Sequence, residues 1–242
     1  MKGVILAGGT GSRLFPLTKV TNKHLLPVGN KPMIFHPVEK LIEVGITEIL
    51  IVTGPEHMGA VVSLLGSGRD FGCEFTYKVQ DQAGGIAEAL GLAQHFCGTD
   101  KMVVILGDNI FQDSLISFVT AFETQVTGAR LILKEVPDPE RYGVPVMEGD
   151  RILKIEEKPQ HPKSRYAITG IYMYDSQVFD FIAQCSPSRR GELEITDVNN
   201  FYIQNNQCYY DTFQGWWTDA GTFPSLKKAS DLYSEMQELN RV

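Results

Sequence analysis

The segment with the clearest chemical potential lies near the N-terminus and is rich in glycine. It reads LAGGTGSRL over residues 6–14 and includes Leu6, Gly8, Gly9, Gly11, Ser12 and Arg13. Glycine lets a backbone approach a ligand closely and offer several N–H groups to anionic oxygens, and Arg13 adds a planar cation suited to phosphate. The spacing matches neither a P-loop nor a dinucleotide fingerprint, because Leu14 stands where GxGxxG needs its last glycine. A flexible surface turn has the same composition, so this loop alone does not indicate phosphate binding, and other segments must be considered.

Three other segments carry charged groups that could act on phosphates. Lys23 lies within residues 19–27, Asp108 follows a wholly apolar run at 102–106, and Asp219 lies within residues 217–222. A lysine can offset phosphate charge, and aspartate oxygens are typical Mg²⁺ ligands. Taken singly, Lys23 and Asp219 are typical of ordinary solvated or capping positions. Asp108 is as typical of a strand-end turn as of a metal ligand.

The elements that must position these groups alternate between strands and helices in the first half of the chain. Apolar runs predict strands at residues 3–7, 48–53, 75–79 and 102–106, and helical spacing predicts helices at 32–44, 56–65, 85–96 and 115–126. This alternation predicts crossover connections and a parallel sheet that is covered on both faces. Such sheets bind ligands at the carboxyl ends of their strands, where the loops after Ala7 and Leu106 begin.

The pattern changes after about residue 130. Residues 131–136, 144–147, 151–157 and 167–174 predict strands separated by turn signals, and residues 177–183, 195–204 and 225–239 predict helices. The sheet is therefore expected to be mixed or antiparallel in this half. Since the sequence has no repeat, low-complexity tract or clear linker, we expect one domain over residues 1–242, with halves 1–130 and 131–242.

Composition narrows the classes of function. The chain has 242 residues, of which 43% are hydrophobic and 21% charged, as is typical of a globular domain. Its net charge is −7 and it has no basic stripe, so nucleic acid is not expected as a partner. The N-terminal apolar run is too short for a signal peptide or a membrane span. The four cysteines are scattered, and we expect a cytoplasmic protein with reduced thiols and no membrane association.

Taken together, the motifs resemble those of the sugar-1-phosphate nucleotidyltransferases. That family shares a G-G-x-G-[ST]-R-L loop and then a lysine before a [PL]-x-P element, and this chain has GGTGSRL at 8–14, KHLLP at 23–27 and KPM at 31–33. The resemblance continues with Gln80, GGIAEA at 84–89, GDN at 107–109, RYGV at 141–144, EEKP at 156–159, TGIY at 169–172, GELEITDVN at 191–199 and WTDAGT at 217–222. The set is most similar to the glucose-1-phosphate thymidylyltransferases, especially their short forms.

The resemblance implies both a fold and a reaction. The implied fold is a Rossmann-like α/β fold of the nucleotide-diphospho-sugar transferase type, in which a mixed, mainly parallel sheet is flanked by helices. The first half would bind a nucleotide and the second half a sugar phosphate. The implied reaction transfers a thymidylyl group from dTTP to glucose 1-phosphate, giving dTDP-glucose and pyrophosphate, with Mg²⁺ as the cofactor. Relatives commonly assemble, so a homo-oligomer is expected.

The resemblance also implies roles for individual residues. The implied catalytic residues are Arg13, Lys23, Asp108 and Lys158, and the implied metal ligands are Asp108 and Asp219. The implied nucleotide-binding residues are Leu6, Gly8, Gly9, Gly11, Ser12, Arg13, Gln80, Gly85 and Asp108. The implied sugar-phosphate-binding residues are Asn109, Tyr142, Gly143, Glu157, Lys158, Gly170 and Arg190. Gln80 is the implied base reader, because one amide can donate to and accept from the edge that thymine and uracil share.

The chain departs from the family pattern at two places. Ala83 stands where the family often has proline near the base, so the fine selectivity for the base stays open. The chain ends soon after residue 239, whereas longer thymidylyltransferases carry further C-terminal helices that help to form a regulatory nucleotide site. Feedback through such a site is therefore not expected.

Three alternative functions stay open. The first is the same reaction with UTP, CTP, ATP or another sugar phosphate, and the UTP form is hard to separate because uracil and thymine share an edge. The second is a sugar-nucleotide-binding subunit without catalysis, which the presence of Arg13, Lys23 and Asp108 disfavours. The third is a dinucleotide-dependent oxidoreductase, which the missing GxGxxG disfavours.

Overall fold

A computed structural model of the protein describes residues 1–239. Its strands are, in chain order, β1 (Lys2–Ala7), β2 (Pro27–Val28), β3 (Lys31–Pro32), β4 (Glu48–Thr53), β5 (Glu74–Val79), β6 (Met102–Leu106), β7 (Asn109–Phe111), β8 (Ala129–Glu135), β9 (Gly143–Glu148), β10 (Arg151–Glu157), β11 (Tyr166–Tyr174), β12 (Cys208–Thr212) and β13 (Trp217–Asp219). Its α-helices are α1 (Phe35–Glu43), α2 (Met58–Leu65), α3 (Ile86–Gly91), α4 (Gln94–Cys97), α5 (Ile116–Thr124), α6 (Val178–Gln184), α7 (Ile195–Gln204) and α8 (Phe223–Leu239).

The chain divides into two compact units, each built from separate stretches of sequence. The first, which we call the N-terminal unit, contains Lys2–Ala83, Ile105–Ile116 and residues 215–239. The second, which we call the central unit, contains Gly84–Val104 and Ser117–Gln214. The predicted single domain with halves that meet near residue 130 stays a prediction.

The N-terminal unit contains a parallel three-strand arrangement in the order β1, β4, β5. Residue pairs run in register from Gly3 opposite Ile49 to Ala7 opposite Thr53. β1 and β4 are almost wholly apolar and are buried along nearly their whole length, as expected for strands covered on both faces. The helices α1 and α2 form the crossovers between successive strands.

A smaller apolar cluster holds the C-terminal part of the N-terminal unit in place. β13 pairs antiparallel with β7, so that Asp219 lies opposite Asn109. Buried side chains from β2, β7, α8 and the residues that follow β3 and β13 pack together beside this pair, namely Val28, Ile110, Ala229, Met33 and Ala220. Ser230 Oγ accepts a hydrogen bond from Gly29 N at 3.2 Å, which ties α8 to the turn after β2. This packing fixes the position of Asp219.

The central unit is mixed. β8 pairs antiparallel with β11 on one side and parallel with β12 on the other, while β9 and β10 form an antiparallel pair with one irregularity. Its core includes stacked rings of Tyr172, Tyr174 and Tyr202. The buried hydroxyls are satisfied, because Tyr174 donates to Asn199 Oδ1 at 2.6 Å and Tyr202 to Asp175 Oδ1 at 2.8 Å.

The structure confirms the predicted mixed, mainly parallel sheet flanked by helices. The predicted bounds are matched residue for residue at β4, β6, β10 and α7. The helix predicted at 85–96 is instead divided into α3 and α4, and α3 ends at Gly91, a poor helix former. The helix predicted from residue 32 begins at Phe35, because Pro32 pairs with Pro27 in a two-residue ladder. The short strands β2, β3, β7, β12 and β13 were not predicted.

Within residues 1–239, no helix is both long and apolar enough to cross a membrane.

A prediction concerns Asn200, which holds α7 against β10 inside the central unit. Asn200 Oδ1 accepts from Ile155 N at 2.8 Å, and its Nδ2 donates to Ile155 O at 3.0 Å. We expect Asn200→Ala to lower the free energy of unfolding by about 2 kcal/mol, because two partly buried backbone groups lose their partners. Chemical denaturation measures this loss.

The matched control is Asn205→Ala, at the residue that follows α7. Asn205 Nδ2 donates to Phe201 O at 2.8 Å in an exposed position, where water can replace it. We expect little change for this control. Equal stability losses for the two variants would contradict the role given to Asn200.

Candidate functional site

The glycine-rich loop leaves the end of β1 and turns into a short 3-10 helix at Ser12–Leu14. Gly9 and Gly11 have φ angles of 90° and 61°, in the left-handed region that favours glycine. Thr18 Oγ1 donates to Gly11 O at 2.9 Å and ties the loop down on one side. The loop therefore keeps a defined backbone path while the Arg13 side chain extends from its end into an exposed position.

An ion pair joins the segment after this loop to the segment after β6. Lys23 Nζ lies 2.6 Å from Asp108 Oδ2, and the two side chains are only 14% and 11% exposed. Asn109 Nδ2 donates to Asp108 Oδ1 at 3.1 Å, and Asn109 Oδ1 in turn accepts from Trp217 Nε1 at 2.7 Å. Both oxygens of the Asp108 carboxylate are thus oriented by neighbours.

The charge state of this pair follows from its surroundings. Burial raises the pKa of the Asp108 carboxyl, but the Lys23 ammonium and the hydrogen bonds from Lys23 and Asn109 outweigh burial and hold this pKa well below its ordinary value. Burial, together with the adjacent Lys23 ammonium, lowers the pKa of His24 from 6.5 to about 3. At neutral pH the site therefore has an ionised Asp108 and a neutral His24.

The second predicted metal ligand lies beside the first along the backbone. Asp219 is the register partner of Asn109, and the next N–H, that of Ala220, donates to Asp108 O at 2.7 Å. The two carboxylates therefore come from adjacent stretches of main chain, although they are far apart in sequence.

Gly221 is a site residue that sequence reasoning quoted in a motif but did not assign. A Cβ atom at Gly221 would lie 2.8 Å from Arg13 Nη2 and 3.3 Å from Asp108 Oδ2. The Arg13 guanidinium and the Asp108 carboxylate are thus packed against the same glycine. The sequence signal was the glycine of WTDAGT, whose role is to leave room for these two groups.

Gln80 borders a cavity in the N-terminal unit. Its side chain is mostly buried, and its backbone N–H donates to Thr53 O at 2.9 Å. A Cβ atom at Gly8 would lie 2.7 Å from Gln80 Oε1, so glycine there permits the close approach. The cavity is lined by Gly9, Thr10, Thr21, Asn22, Lys23, Gly54, Pro55, Glu56, His57, Gln80, Asp81, Gln82 and Ala83. Its volume of about 130 Å³ is roughly ten times what one water molecule needs, so it suits part of an organic ligand.

The central unit holds most of the residues predicted for the sugar phosphate. Lys158 has a φ of 42°, which is uncommon for a residue other than glycine, and its N–H donates to Tyr142 O at 3.0 Å. Its ammonium lies 3.3 Å from Glu157 Oε1. Strained backbone of this kind concentrates at functional sites, which supports the binding role predicted for Lys158.

Arg190 is surrounded by carboxylates in the same unit. Its Nη2 atom lies 2.8 Å from Glu194 Oε2 and 3.4 Å from both Glu157 Oε1 and Glu192 Oε2. Thr196, which was not predicted as a site residue, donates its hydroxyl to Glu157 Oε2 at 2.6 Å. Glu157 is therefore held from two sides, which fixes the direction of its carboxylate.

Three glycines predicted for ligand contact also belong to the central unit. Gly143 begins β9, and a Cβ atom there would lie 3.2 Å from Ile155 Cγ2 and 3.4 Å from Thr196 Oγ1. Gly170 is buried within β11, where the pairing with β8 is irregular. Gly85 has a φ of 102°, and a Cβ atom there would lie 2.4 Å from Leu193 O. In the ligand-free chain, nearby side chains account for glycine at position 143 and nearby backbone at position 85. The contacts of all three glycines with substrate stay predictions.

The predicted residues thus form two groups. The N-terminal unit brings together four of them, namely Arg13, Lys23, Asp108 and Asp219. Asn109 lies beside this group, and so does the backbone of Leu6, because the Leu6 carbonyl accepts from Gly107 N at 2.9 Å. Gly8 and Gln80 meet at the cavity of that unit, and Gly9, Gly11 and Ser12 belong to its glycine-rich loop. Tyr142, Glu157, Lys158 and Arg190 gather in the central unit.

Comparison with protein-family models gives one assignment for almost the whole chain. Residues 2–236 match the model described as nucleotidyl transferase. Among curated proteins, the chain is 42% identical to a glucose-1-phosphate thymidylyltransferase of Neisseria meningitidis serogroup A, over all of this chain and 85% of that protein.

Solved structures give a consistent result. A Bacillus anthracis protein, provisionally assigned as a glucose-1-phosphate thymidylyltransferase and crystallised with sucrose, is 61% identical and superposes with a TM-score of 0.93 over 96% of this chain and 94% of that one. A UDP-glucose pyrophosphorylase bound to UDP-glucose is 26% identical and has a TM-score of 0.86 over 97% and 98% of the two chains.

A prediction follows from the crowding at Gly221. We expect Gly221→Ala to weaken binding of a nucleoside triphosphate at least tenfold, because the methyl group occupies space that the Arg13 guanidinium and the Asp108 carboxylate now share. Titration calorimetry measures the affinity, and thermal melting checks that the fold is retained.

The matched control is Gly59→Ala. Gly59 lies in α2 with open space around the added Cβ, so alanine there should leave binding unchanged and stabilise the helix slightly. Unaltered triphosphate binding by Gly221→Ala would show that the two charged groups do not need this space.

Proposed function

The chain belongs to the nucleotidyl transferase family, and from that premise we propose that it is an enzyme that transfers a thymidylyl group from dTTP to glucose 1-phosphate. The products are dTDP-glucose and pyrophosphate. The observation that carries the proposal is the packing of Arg13 and Asp108 against Gly221, together with the Lys23–Asp108 ion pair. Whole-chain similarity to glucose-1-phosphate thymidylyltransferases supports the choice of substrates.

The proposed reaction needs positioning and charge more than it needs an activated nucleophile. An oxygen of glucose 1-phosphate attacks the α-phosphorus of dTTP, and pyrophosphate leaves in line. A phosphate monoester has a second pKa near ~6 and is mostly dianionic at neutral pH, so no general base is required. The chief barrier is to bring two polyanions together in the correct alignment, which cations and fixed dipoles lower.

The N-terminal unit would hold the nucleotide. Gln80, beside Gly8 at the cavity, would read the base with its amide. Arg13 would hold the β- and γ-phosphates and stabilise the departing pyrophosphate, and Lys23 would offset charge at the α-phosphate. The backbone of Gly9 and Gly11, held in left-handed conformations, would offer N–H groups to phosphate oxygens.

The donor groups in this unit suit Mg²⁺. Mg²⁺ is commonly held by one or two carboxylates together with substrate phosphates, and Asp108 and Asp219 are two carboxylates on adjacent backbone. The Asp108 carboxyl has a lowered pKa and is therefore ionised when a cation arrives. When bound, Mg²⁺ would supply positive charge that offsets the charge of the triphosphate.

The central unit would hold glucose 1-phosphate. Lys158 and Arg190 are the cations proposed for its phosphate, and Glu157 would accept hydrogen bonds from sugar hydroxyls. Tyr142, Gly143 and Gly170 would shape the pocket for the sugar. Asn109 also stays proposed as a sugar-phosphate ligand. Because Arg190 is paired with Glu194 in the ligand-free chain, the sugar phosphate must compete with that carboxylate.

The same reaction with UTP is the alternative that an observation favours. Gln80 would read an edge common to thymine and uracil, and a relative of 26% identity is a UDP-glucose pyrophosphorylase. Homo-oligomer formation, which the family resemblance implies, also stays a proposal. A cytoplasmic location and the absence of nucleic-acid and membrane partners stay proposals too, and the composition of the chain supports them.

Pyrophosphate release tests the proposal. Wild-type protein with Mg²⁺ and glucose 1-phosphate is assayed with dTTP, UTP, CTP and ATP in turn, and we expect dTTP to give the highest kcat/KM. Comparable rates with UTP would withdraw the thymidylyl assignment while keeping the reaction. The absence of pyrophosphate release with all four nucleotides would reject transfer to glucose 1-phosphate.

Asp108→Asn tests the metal-binding role in the same assay. We expect kcat to fall by about 100-fold or more, because a charged metal ligand becomes a neutral amide. Asp150→Asn in the exposed turn between β9 and β10 is the matched control and should retain full activity. Near-normal turnover by Asp108→Asn with Mg²⁺ would reject the metal assignment.

Gln80→Ala tests the base reader. We expect the ratio of kcat/KM values for dTTP and CTP to shrink more than the rate with dTTP falls, because alanine cannot distinguish the two pyrimidine edges. Gln184→Ala on the exposed side of α6 serves as the control. An unchanged ranking of nucleotides would remove Gln80 from this role.

A further inference from the structure

A buried pair of side chains, Asn22 and His24, lies on either side of Lys23. They are only 5% and 1% exposed, and Asn22 also borders the cavity that Lys23 and Gln80 line. Asn22 Oδ1 accepts from His24 N at 2.9 Å and lies 2.7 Å from His24 Nδ1. One amide oxygen therefore binds both the backbone and the ring of the residue two positions later, which closes the Lys23–Leu25 turn into a rigid loop.

Asn22 also ties this turn to the ends of two strands. Its Nδ2 donates towards Ala7 O at the end of β1 and towards Thr53 Oγ1 at the end of β4, each at 3.4 Å. These bonds are long, but they are buried, and they are made to the positions where a parallel sheet presents its ligand-binding edge. These hydrogen bonds fix the position of the turn that carries Lys23 relative to the ends of β1 and β4.

The His24 ring makes the connection to the acidic partner. A Cβ atom at Gly107 would lie 2.7 Å from His24 Cδ2 and 3.1 Å from His24 Nε2, so the imidazole packs directly against the backbone before Asp108. Gly107 N also donates to Leu6 O at 2.9 Å. The ring therefore sets the spacing between the backbone of Lys23 and the backbone of Asp108.

From this geometry we propose that Asn22 and His24 are positioning residues that fix the backbone of Lys23, so that its ammonium stays beside Asp108 at the site of the α-phosphate. The inference rests on the proposed function, because it assigns Lys23 to the transfer step. A lysine has a flexible four-carbon stem, and ordering it has an entropic cost. A fixed Cα position limits the volume that the ammonium can sample.

A double-mutant cycle separates this role from a general contribution to folding. Asn22→Ala, Lys23→Met and the double variant are compared with wild type in kcat and KM for pyrophosphate release. We expect Asn22→Ala to lower kcat by about 10- to 100-fold with little change in the KM for glucose 1-phosphate, because the ammonium is misplaced at the reacting centre. In the Lys23→Met background the same substitution should change kcat less than about twofold, because the group that it positions is gone.

Lysine labelling gives a second readout that needs no substrate. The ligand-free proteins are acetylated under limiting reagent, and labelling at Lys23 and Lys101 is measured by peptide mass spectrometry. We expect Asn22→Ala to raise labelling of Lys23 several-fold, as Asp108→Asn should, because the ammonium leaves its ion pair. Lys101, whose ammonium is held by Phe122 O and Glu123 O, should be unchanged.

Asn199→Ala is the matched control for loss of a buried asparagine. Asn199 is 1% exposed and accepts from Tyr174 OH in the central unit, so its removal should lower the melting temperature without altering Lys23 labelling. Should Asn22→Ala fail to fold, Asn22→Ser replaces it, because its shorter hydroxyl can cap His24 N but cannot also reach Ala7 and Thr53. We expect this variant to show a smaller change in the same direction.

The outcomes distinguish the two proposals. Equal losses of kcat in both backgrounds, or unchanged labelling of Lys23 in the Asn22 variant, would overturn the positioning role. Wild-type inactivity with every nucleotide would overturn the proposed function, and labelling of Lys23 would still decide the positioning role.

Discussion

The ion pair between Lys23 and Asp108 is the interaction on which the rest of the candidate site depends. Two charges that are largely removed from water are stable only when they are paired and hydrogen-bonded. The loss of one partner leaves the other as an uncompensated buried charge, which destabilises the fold. The two residues come from segments 85 positions apart in sequence. The segments after β1 and β6 must therefore place Lys23 Nζ and Asp108 Oδ2 close together, and the distance between these atoms is 2.6 Å.

Several glycines in the N-terminal unit are explained by this requirement for close approach. Gly8 makes room for Gln80, Gly107 for His24, and Gly221 for Arg13 and Asp108. At these three positions the constraint is steric. At Gly9 it is the left-handed backbone of the loop, and Gly11 has both constraints. The family motifs thus combine two physical reasons for glycine, and only the structure separates them.

The sequence predicted most of the fold and the chemical groups of the site, and the failures have physical causes. β4 and β6 were predicted to the residue because they are short, apolar and buried on both faces. β7 and β13 have three residues each, and their pairing depends on a partner about a hundred positions away, so no local pattern marks them. Arg13, Lys23 and Asp108 were identified from motifs. His24 and Thr196 also lie within quoted motifs, but like Asn22 they contact other side chains, and residue type alone assigned them no role.

The site has the character expected of a transferase that relies on charge and alignment. Among the described residues, the groups gathered in the N-terminal unit are an ionised carboxylate, cations and backbone N–H donors, and the buried imidazole of His24 is neutral and engaged. For the proposed reaction we expect a single in-line displacement, in which the sugar phosphate attacks the α-phosphorus directly, without a covalent nucleotidyl-enzyme intermediate.

The most direct test is the stereochemical course of the transfer at the α-phosphorus. The protein is supplied with one diastereomer of dTTP that bears sulfur at the α-phosphorus, together with glucose 1-phosphate and Mg²⁺, and the configuration of the sugar-nucleotide product is determined by ³¹P NMR. A single displacement predicts inversion of configuration. Net retention would require two successive displacements through an enzyme-bound nucleotide and would contradict a site that works by charge and alignment alone.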